Sequence, residues 1–297
     1  MDAGAVTVRL PYRPPLHHDG LMAFLGARAI AGIEVVDGDT YRRVLRLSGG
    51  PAVAEVRPGT RAGPPHLECT LWPSDRGDVP EAVRRLRRLL DLDADPVLVD
   101  AHLGADPLLA PLVSDAPGRR SPGAADGDEL AVRAVLGQQV SVAAARTLAG
   151  RLVATLGEPL SAPRDGLTHV FPDMATLARA GEEQLPAMPT SRRRTLQALA
   201  AGAAAGALRL VPDEDPDEVE RRLLALPGVG PWTAGYIRMR ALGDGDVFLP
   251  TDVGVRNALR RLGCASDPVG AGDLAQGWAP WRSYALHHLW ASAAVRA

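Results

Sequence analysis

Lysine does not occur anywhere in this chain of 297 residues; all 33 basic side chains are arginine. Several chemistries fall with it. A phosphate-binding loop needs its lysine, a pyridoxal enzyme needs a lysine Schiff base, and a lysine-dependent lyase needs an ε-amine to attack a sugar aldehyde. Cysteine is nearly absent too: Cys69 and Cys264 stand too far apart for a CxxC metal or redox pair, and an iron–sulfur cluster, which takes about four thiolates, is excluded. No run reaches the ~18 apolar residues of a membrane span, and the start MDAGAVTVRLPYR lacks the basic-then-apolar order of a signal peptide. The expectation is a soluble, cytoplasmic protein with no membrane partner. A net charge of −2 argues against coating nucleic acid by bulk electrostatics, but leaves room for a local basic face.

With 46% hydrophobic and 23% charged residues, the chain can bury a sizeable core in two or three domains. Up to about residue 75 the apolar pattern alternates, in VTVRL, GIEVV, YRRVLRL, AVAEV and LECTLW, which are strands. Gly49-Gly50 supplies the positive φ of a tight hairpin, so Tyr41 to Leu47 pairs antiparallel with Ala52 to Val56. Helical periods follow the first strand (Leu21, Phe24, Leu25) and the last (Val83, Leu86, Leu89, Leu90). The Gly- and Pro-rich stretch 116–128 is a connecting loop, and beyond it short helices succeed one another. The fold class is therefore α+β: an N-terminal antiparallel α+β domain, 1–118, followed by an all-α domain, 119–297.

The sharpest local pattern is Leu226-Pro227-Gly228-Val229-Gly230-Pro231-Trp232-Thr233-Ala234. Asp215 and Pro216 start a helix before it and Pro231 suits the first position of a helix after it, so the segment reads helix, Gly-rich hairpin, helix. Such a hairpin leaves backbone N–H groups bare at a helix N-terminus, a site for one phosphate; it is equally an ordinary tight turn, and spacing alone does not separate the two. In the second helix Trp232, Tyr236 and Met239 share one face, and Ala234, Ile237 and Ala241 another. The small face suits a core, and the aromatic face suits either a core or the wall of a pocket that stacks a flat ligand. Downstream, DVFLPTDVGVRNAL sets Asp252 at the head of a helix, either as an N-cap or as a carboxylate at a cleft edge that stabilises a cationic transition state or activates water.

Taken together, Arg28 in FLGARAI, AVLGQQVSVAAA (134–145), FPDMATLA (171–178), LPGVGPWTAGY (226–236), DVFLPTD (246–252) and WRSYALHHLW (281–290) resemble the helix-hairpin-helix superfamily of DNA glycosylases, and within it the AlkA-type branch. The resemblance implies an N-terminal domain similar to half of a TATA-binding protein and a two-lobed helical body with a cleft. It implies an enzyme of base excision repair that flips an alkylated base, such as 3-methyladenine or 7-methylguanine, out of double-stranded DNA and hydrolyses its N-glycosidic bond. Asp252 matches the catalytic aspartate. Trp232, Tyr236, Trp290 and Phe24 match the base pocket, and Gly228, Gly230 and Thr233 match DNA-binding positions of the hairpin. The carbonyls of Leu224, Leu226 and Val229 match positions that hold a Na+ or K+ ion, with no other cofactor required.

Two positions depart from the branch. Gln139 stands where a leucine wedge fills the gap left by the flipped base, and Val253 stands where the pocket has a tyrosine. The residue after LPGVG-Pro is Trp232 rather than the lysine of lyase-competent relatives, so the resemblance implies a monofunctional enzyme, acting as a monomer. Two other classes stay open: a non-catalytic hairpin module that grips DNA, and a glycosylase for deaminated or oxidised bases. Adjacent His287 and His288 point about 100° apart on a helix and form no metal site; they read as surface or packing residues. Arg192 to Arg194 is either a phosphate contact or a solvated helix start, and Arg282 reads as a buried donor orienting the region of Asp252.

Overall fold

The computed structural model describes residues 4–60 and 63–294. The alternating segments form β1 (Val6–Pro11), β2 (Glu34–Asp37), β3 (Thr40–Leu47), β4 (Gly50–Pro58) and β5 (His66–Pro73), an antiparallel sheet in the order β1-β5-β4-β3-β2. Ser48 and Gly49 make the turn of the expected hairpin, and of the two glycines only Gly50, the first residue of β4, has a positive φ, +129°. Helices α1 (His18–Arg28) and α2 (Val79–Leu89) cover one face, where Leu21, Leu25, Leu86 and Leu89 meet Leu10, Tyr41, Leu45 and Leu71 in a dry core. Period-2 alternation on the strands and a helical stripe on α1 and α2 are two views of that burial.

A second core belongs to the helical body. It is built on α5 (Gly127–Leu136), α6 (Val142–Leu156), α7 (Met174–Arg179), α8 (Thr190–Ala204), α9 (Pro216–Leu224) and α10 (Pro231–Ile237), which runs on into one π turn over Arg238–Leu242. Nearly every residue of α5 is buried, including Leu130, Val132, Val135 and Leu136, so this helix is the axis of the lobe. Sequence punctuation sets the ends: Ser141 Oγ accepts the Ala144 N–H at 3.2 Å to start α6, and Asp215 accepts the Asp217 N–H at 3.0 Å to start α9.

The third core joins α11 (Val253–Arg261), α12 (Pro268–Leu274) and α13 (Arg282–Ala294) to α3 (Pro96–Leu103) and α4 (Ala110–Asp115) around the fully buried Trp278. Chain order and core membership thus differ, because α3 and α4 precede residue 118 yet pack with the C-terminal helices. The intervening segment is stitched down by arginines. Arg120 donates to the carbonyls of Arg13 (2.6 Å), Pro15 (3.1 Å) and Ala94 (3.3 Å), and Arg240 donates to those of Pro122 and Gly123.

The structure adds a feature where only helices were expected. Strands β6 (Glu158–Arg164) and β7 (Leu167–Val170) form a hairpin, and Gly32 O accepts the N–H groups of Thr168 (2.7 Å) and His169 (3.1 Å), docking the hairpin on the N-terminal domain. A buried polar cluster completes that junction: Arg43 donates to Glu129 at 2.8 Å and Arg133 lies 2.9 Å from Glu34, which also accepts from Tyr41 at 2.6 Å. Burial alone would raise the Glu34 carboxyl, but the Arg133 and Arg43 guanidiniums hold it below its ordinary value.

Candidate active site

Asp252 is the N-cap of α11, and its side chain does more than cap. Oδ1 accepts the Val255 N–H at 2.9 Å and the Trp290 indole N–H at 2.9 Å, while Oδ2 accepts the Trp232 indole N–H at 2.8 Å. Three donors on two oxygens fix the plane of the carboxylate and leave Oδ2 a lone pair for a reacting group. The two tryptophans were expected only as stacking surfaces. Their N–H groups also aim the carboxylate, which periodicity does not reveal because it reports ring faces rather than edges.

The aromatic residues do come together. Trp232 and Tyr236, one turn apart on α10, stack with centroids 5.2 Å apart and planes 6° from parallel. Tyr236 faces Trp290 at 6.2 Å, His287 meets Trp290 edge-on at 5.1 Å, and Phe24 of α1 meets His287 at 5.0 Å. Met239, expected on the same helix face, instead turns into the third core. Phe24 thus brings the N-terminal domain into a site otherwise built from the two helical lobes.

This wall is unusually cationic. The Arg28 guanidinium lies 3.9 Å over the Phe24 ring and 5.9 Å from that of Trp290; Arg240 lies 4.8 Å over Phe24 and donates to Tyr236 Oη at 2.8 Å. Burial alone would raise the Tyr236 phenol, but Arg240 and Arg28 pull it below the ordinary tyrosine value. Burial, with the same two arginines adding to it, drives the His287 imidazole well below its usual value, so it sits neutral against Phe24 and Trp290. His287 and His288 are both buried, 4% and 2% exposed, rather than at the surface. Arg282 bonds Asp246 with both carboxylate oxygens (2.7 and 2.8 Å), so it braces the start of the 246–252 loop and not Asp252 itself.

The hairpin separates two uses of glycine. Gly228 has φ +79°, and a Cβ there would sit 2.2 Å from Thr195 Oγ1, so the fold itself demands glycine. Gly230 has φ −103° and open space around its missing Cβ, so nothing inside the protein requires it. It is the N-cap of α10, where the first-turn N–H groups have no helical acceptors. Thr233, expected at the DNA surface, is buried, and its Oγ1 accepts the Gln138 amide at 3.1 Å. What it can offer a phosphate is its backbone N–H. Leu226 O takes the Val229 N–H at 3.2 Å, whereas among the described residues no backbone N–H bond reaches the carbonyls of Leu224 or Val229.

Gln139 projects from the turn between α5 and α6 at φ +55°, exposed beside a half-covered Val140, 37% exposed. Its neighbour Gln138, which carried no signal in the sequence, holds the turn in place. The Gln138 amide donates to Gly228 O (3.0 Å) and Thr233 Oγ1, and the Arg192 guanidinium donates to Gln138 O. Arg192 is thus a buried brace rather than a phosphate contact. Val253 is 67% exposed at the rim next to Asp252, so the wall on that side is open where the branch has an aromatic ring.

Residues 7–126 match the AlkA N-terminal domain and residues 132–273 match the HhH-GPD superfamily of base excision DNA repair proteins. The chain is 35% identical to DNA-3-methyladenine glycosylase 2 of Escherichia coli over 288 residues, covering 95% of each chain. This protein belongs to the AlkA branch of the HhH-GPD DNA glycosylases. Another AlkA-branch relative, the probable bifunctional transcriptional activator/DNA repair enzyme AlkA of Mycobacterium tuberculosis, is 46% identical over 97% of this chain, which spans 57% of that relative's length. The fold matches that of the 3-methyladenine DNA-glycosylase from Archaeoglobus fulgidus with a TM-score of 0.83 at 21% identity, over 97% of this chain and 98% of that one. In this member of the branch the Trp232 and Trp290 indoles join the aromatic cluster to Asp252, and α10 joins it to the hairpin.

Proposed function

We propose that this AlkA-branch glycosylase removes alkylated bases from double-stranded DNA by hydrolysis alone, with Asp252 as the catalytic carboxylate. The observation that carries this is the pair of indole N–H bonds, 2.8 and 2.9 Å, that hold Asp252 against the rings of Trp232 and Trp290. A base stacked on those rings places its C1′ next to the free face of Oδ2. Alkylation at N3 or N7 puts positive charge on a purine, which weakens its glycosidic bond and strengthens stacking on an electron-rich ring. As the bond breaks, the sugar becomes an oxocarbenium ion. The Asp252 carboxylate stabilises it and takes the proton from the water that adds to C1′. With no lysine in the chain, no ε-amine attacks that carbon, and the product is an unbroken strand with an abasic site.

Gly228, Gly230 and the Thr233 N–H hold a phosphate beside the flipped nucleotide, and Gln139 fills the gap it leaves. An amide there hydrogen-bonds the orphaned base as well as stacking. The carbonyls of Leu224, Leu226 and Val229 suit a Na+ or K+ ion, since two of the three accept no backbone bond; the ion supplies positive charge that draws the phosphate toward the hairpin. The enzyme acts as a monomer on chromosomal DNA in the cytoplasm.

The test is single-turnover release of 3-methyladenine and 7-methylguanine from methylated duplex DNA by the wild type and by Asp252→Asn, with gels run before and after alkali. Release by the wild type only, with strand breaks only after alkali, is the expected result. Equal release by the variant reduces Asp252 to a helix cap; DNA binding without release by either protein supports a grip-only module.

A further inference from the structure

The half-buried Arg28 stands out among the arginines around the site. Arg43 and Arg133 are paired with Glu34 and Glu129, and Arg240 is anchored on the carbonyls of Pro122 and Gly123. The Arg28 guanidinium, by contrast, has among the described residues no carboxylate within ion-pair reach. Its side-chain bond goes to the Phe24 carbonyl of its own helix (3.3 Å), and its other neighbour is the Tyr236 phenol, whose Oη already accepts from Arg240. Its charged neighbours, Arg240 and Arg133, repel it, and burial holds it below the ordinary arginine value. A long side chain keeps a planar cation over an aromatic ring, 3.9 Å from its centroid, inside the proposed base pocket, with no carboxylate beside it among the described residues.

The shape and position are those of a flat base. An incoming base takes the ring face, and the guanidinium, on its flexible stem, moves to the base's edge and turns its unfilled N–H donors to the base's acceptors. What this does to the reaction depends on the charge of the leaving group. When the C1′–N9 bond breaks, both electrons go to the base. A 7-alkylated purine, a cation before cleavage, leaves neutral and gains nothing from a nearby guanidinium, which repels its ground state. A neutral base such as hypoxanthine leaves as an anion, which a fixed guanidinium stabilises until it takes a proton from solvent; water adds to C1′ and its proton passes to Asp252.

We propose that Arg28 is a specificity-determining residue of the pocket that favours neutral leaving bases, deaminated purines above all, over cationic alkylated ones. This deepens the glycosylase reading and rests on it. The experiment measures single-turnover excision from duplexes carrying one hypoxanthine or one 7-methylguanine, by wild type and by Arg28→Met, which keeps length and removes charge. The expected result is a hypoxanthine to 7-methylguanine rate ratio about ten- to hundredfold lower in the variant, the loss of one charge-assisted hydrogen bond to the departing anion. A partly unfolded variant lowers both rates together and leaves the ratio fixed, and Arg28→Gln repeats the comparison should the methionine variant not fold. An unchanged ratio overturns the proposal, as does a wild type that releases 7-methylguanine but no hypoxanthine. A wild type that releases neither base is the separate failure of the glycosylase reading.

Discussion

Replacing Asp252 by asparagine removes one charge and changes almost no volume, yet the hydrogen-bond geometry predicts two effects of separate origin. The first is on rate. A carboxylate about 4 Å from an oxocarbenium carbon, at an effective dielectric near 20, is worth about 4 kcal/mol, or roughly a thousandfold in the rate of bond breaking. The second is on stability. Three N–H groups point at the two oxygens, two of them at Oδ1 and the Trp232 indole at Oδ2. An asparagine keeps its carbonyl at the Oδ1 position and must turn its NH2 toward the Trp232 N–H, donor against donor, at a cost of about 1–3 kcal/mol. Adding Trp232→Phe removes that clash. Urea titrations should therefore show Asp252→Asn destabilised, and the double variant more stable than the two single losses sum to, by at least about 1 kcal/mol, while excision stays lost. Additive stabilities would refute the indole–carboxylate bond, and excision by Asp252→Asn within a few fold of wild type would refute the charge argument.

Other consequences follow from the same geometry. Gly228→Ala must accept φ +79° and a Cβ 2.2 Å from Thr195 Oγ1, so it should lose about 1–3 kcal/mol in thermal melts; Gly230→Ala should melt within about 0.5 kcal/mol of wild type but bind duplex DNA more weakly in titrations at fixed salt. Gln138→Ala frees the wedge turn from the hairpin, and the fluorescence rise of a 2-aminopurine next to the lesion, which reports base flipping, should slow by about tenfold, whereas a purely structural role would show in the melt instead. Burial, with Arg119 adding to it, lowers the His288 imidazole to about 3, so between the ordinary histidine value of about 6.5 and that point the unfolded chain binds a proton that the native one does not. Stability should be level above about pH 6.5 and fall as pH drops toward 3, and His288→Phe should flatten part of that slope in urea titrations; an unchanged slope contradicts a neutral buried His288.

Much of this molecule was legible before any coordinates, for physical reasons that also explain the gaps. The N-terminal sheet packs one face against α1 and α2 and has its other face covered in part, by the second core at Val44 and Val53, and the more buried face writes a period of two into the sequence. Strand β6 has no such asymmetry: Glu158-Pro159-Leu160-Ser161-Ala162-Pro163-Arg164 is mostly exposed and broken by two prolines, so its pairing is decided by the turn and by β7, which Gly32 of another domain holds. The aspartate and the aromatic residues were legible as types at spacings. The edges of the indoles, the brace from Gln138 and the cation of Arg28 were not, because the first is set by partners 20 and 38 residues away, the second by partners 90 and 95 residues away, and the third by rings across a domain boundary. For His287 and His288 the sequence left surface and packing roles open, since nothing local separates them, and the fold makes both packing residues, 4% and 2% exposed.

The amide of Gln138 joins the turn that carries Gln139 to the glycine hairpin, two parts that the proposed function sets against DNA at different places, and both rest on the second core. Asp252 and Trp290 rest on the third. The Trp232 indole, on the helix that the hairpin opens, reaches across to Asp252 Oδ2 at 2.8 Å. A single hydrogen bond thus sets the distance from the proposed phosphate grip to the proposed catalytic carboxylate.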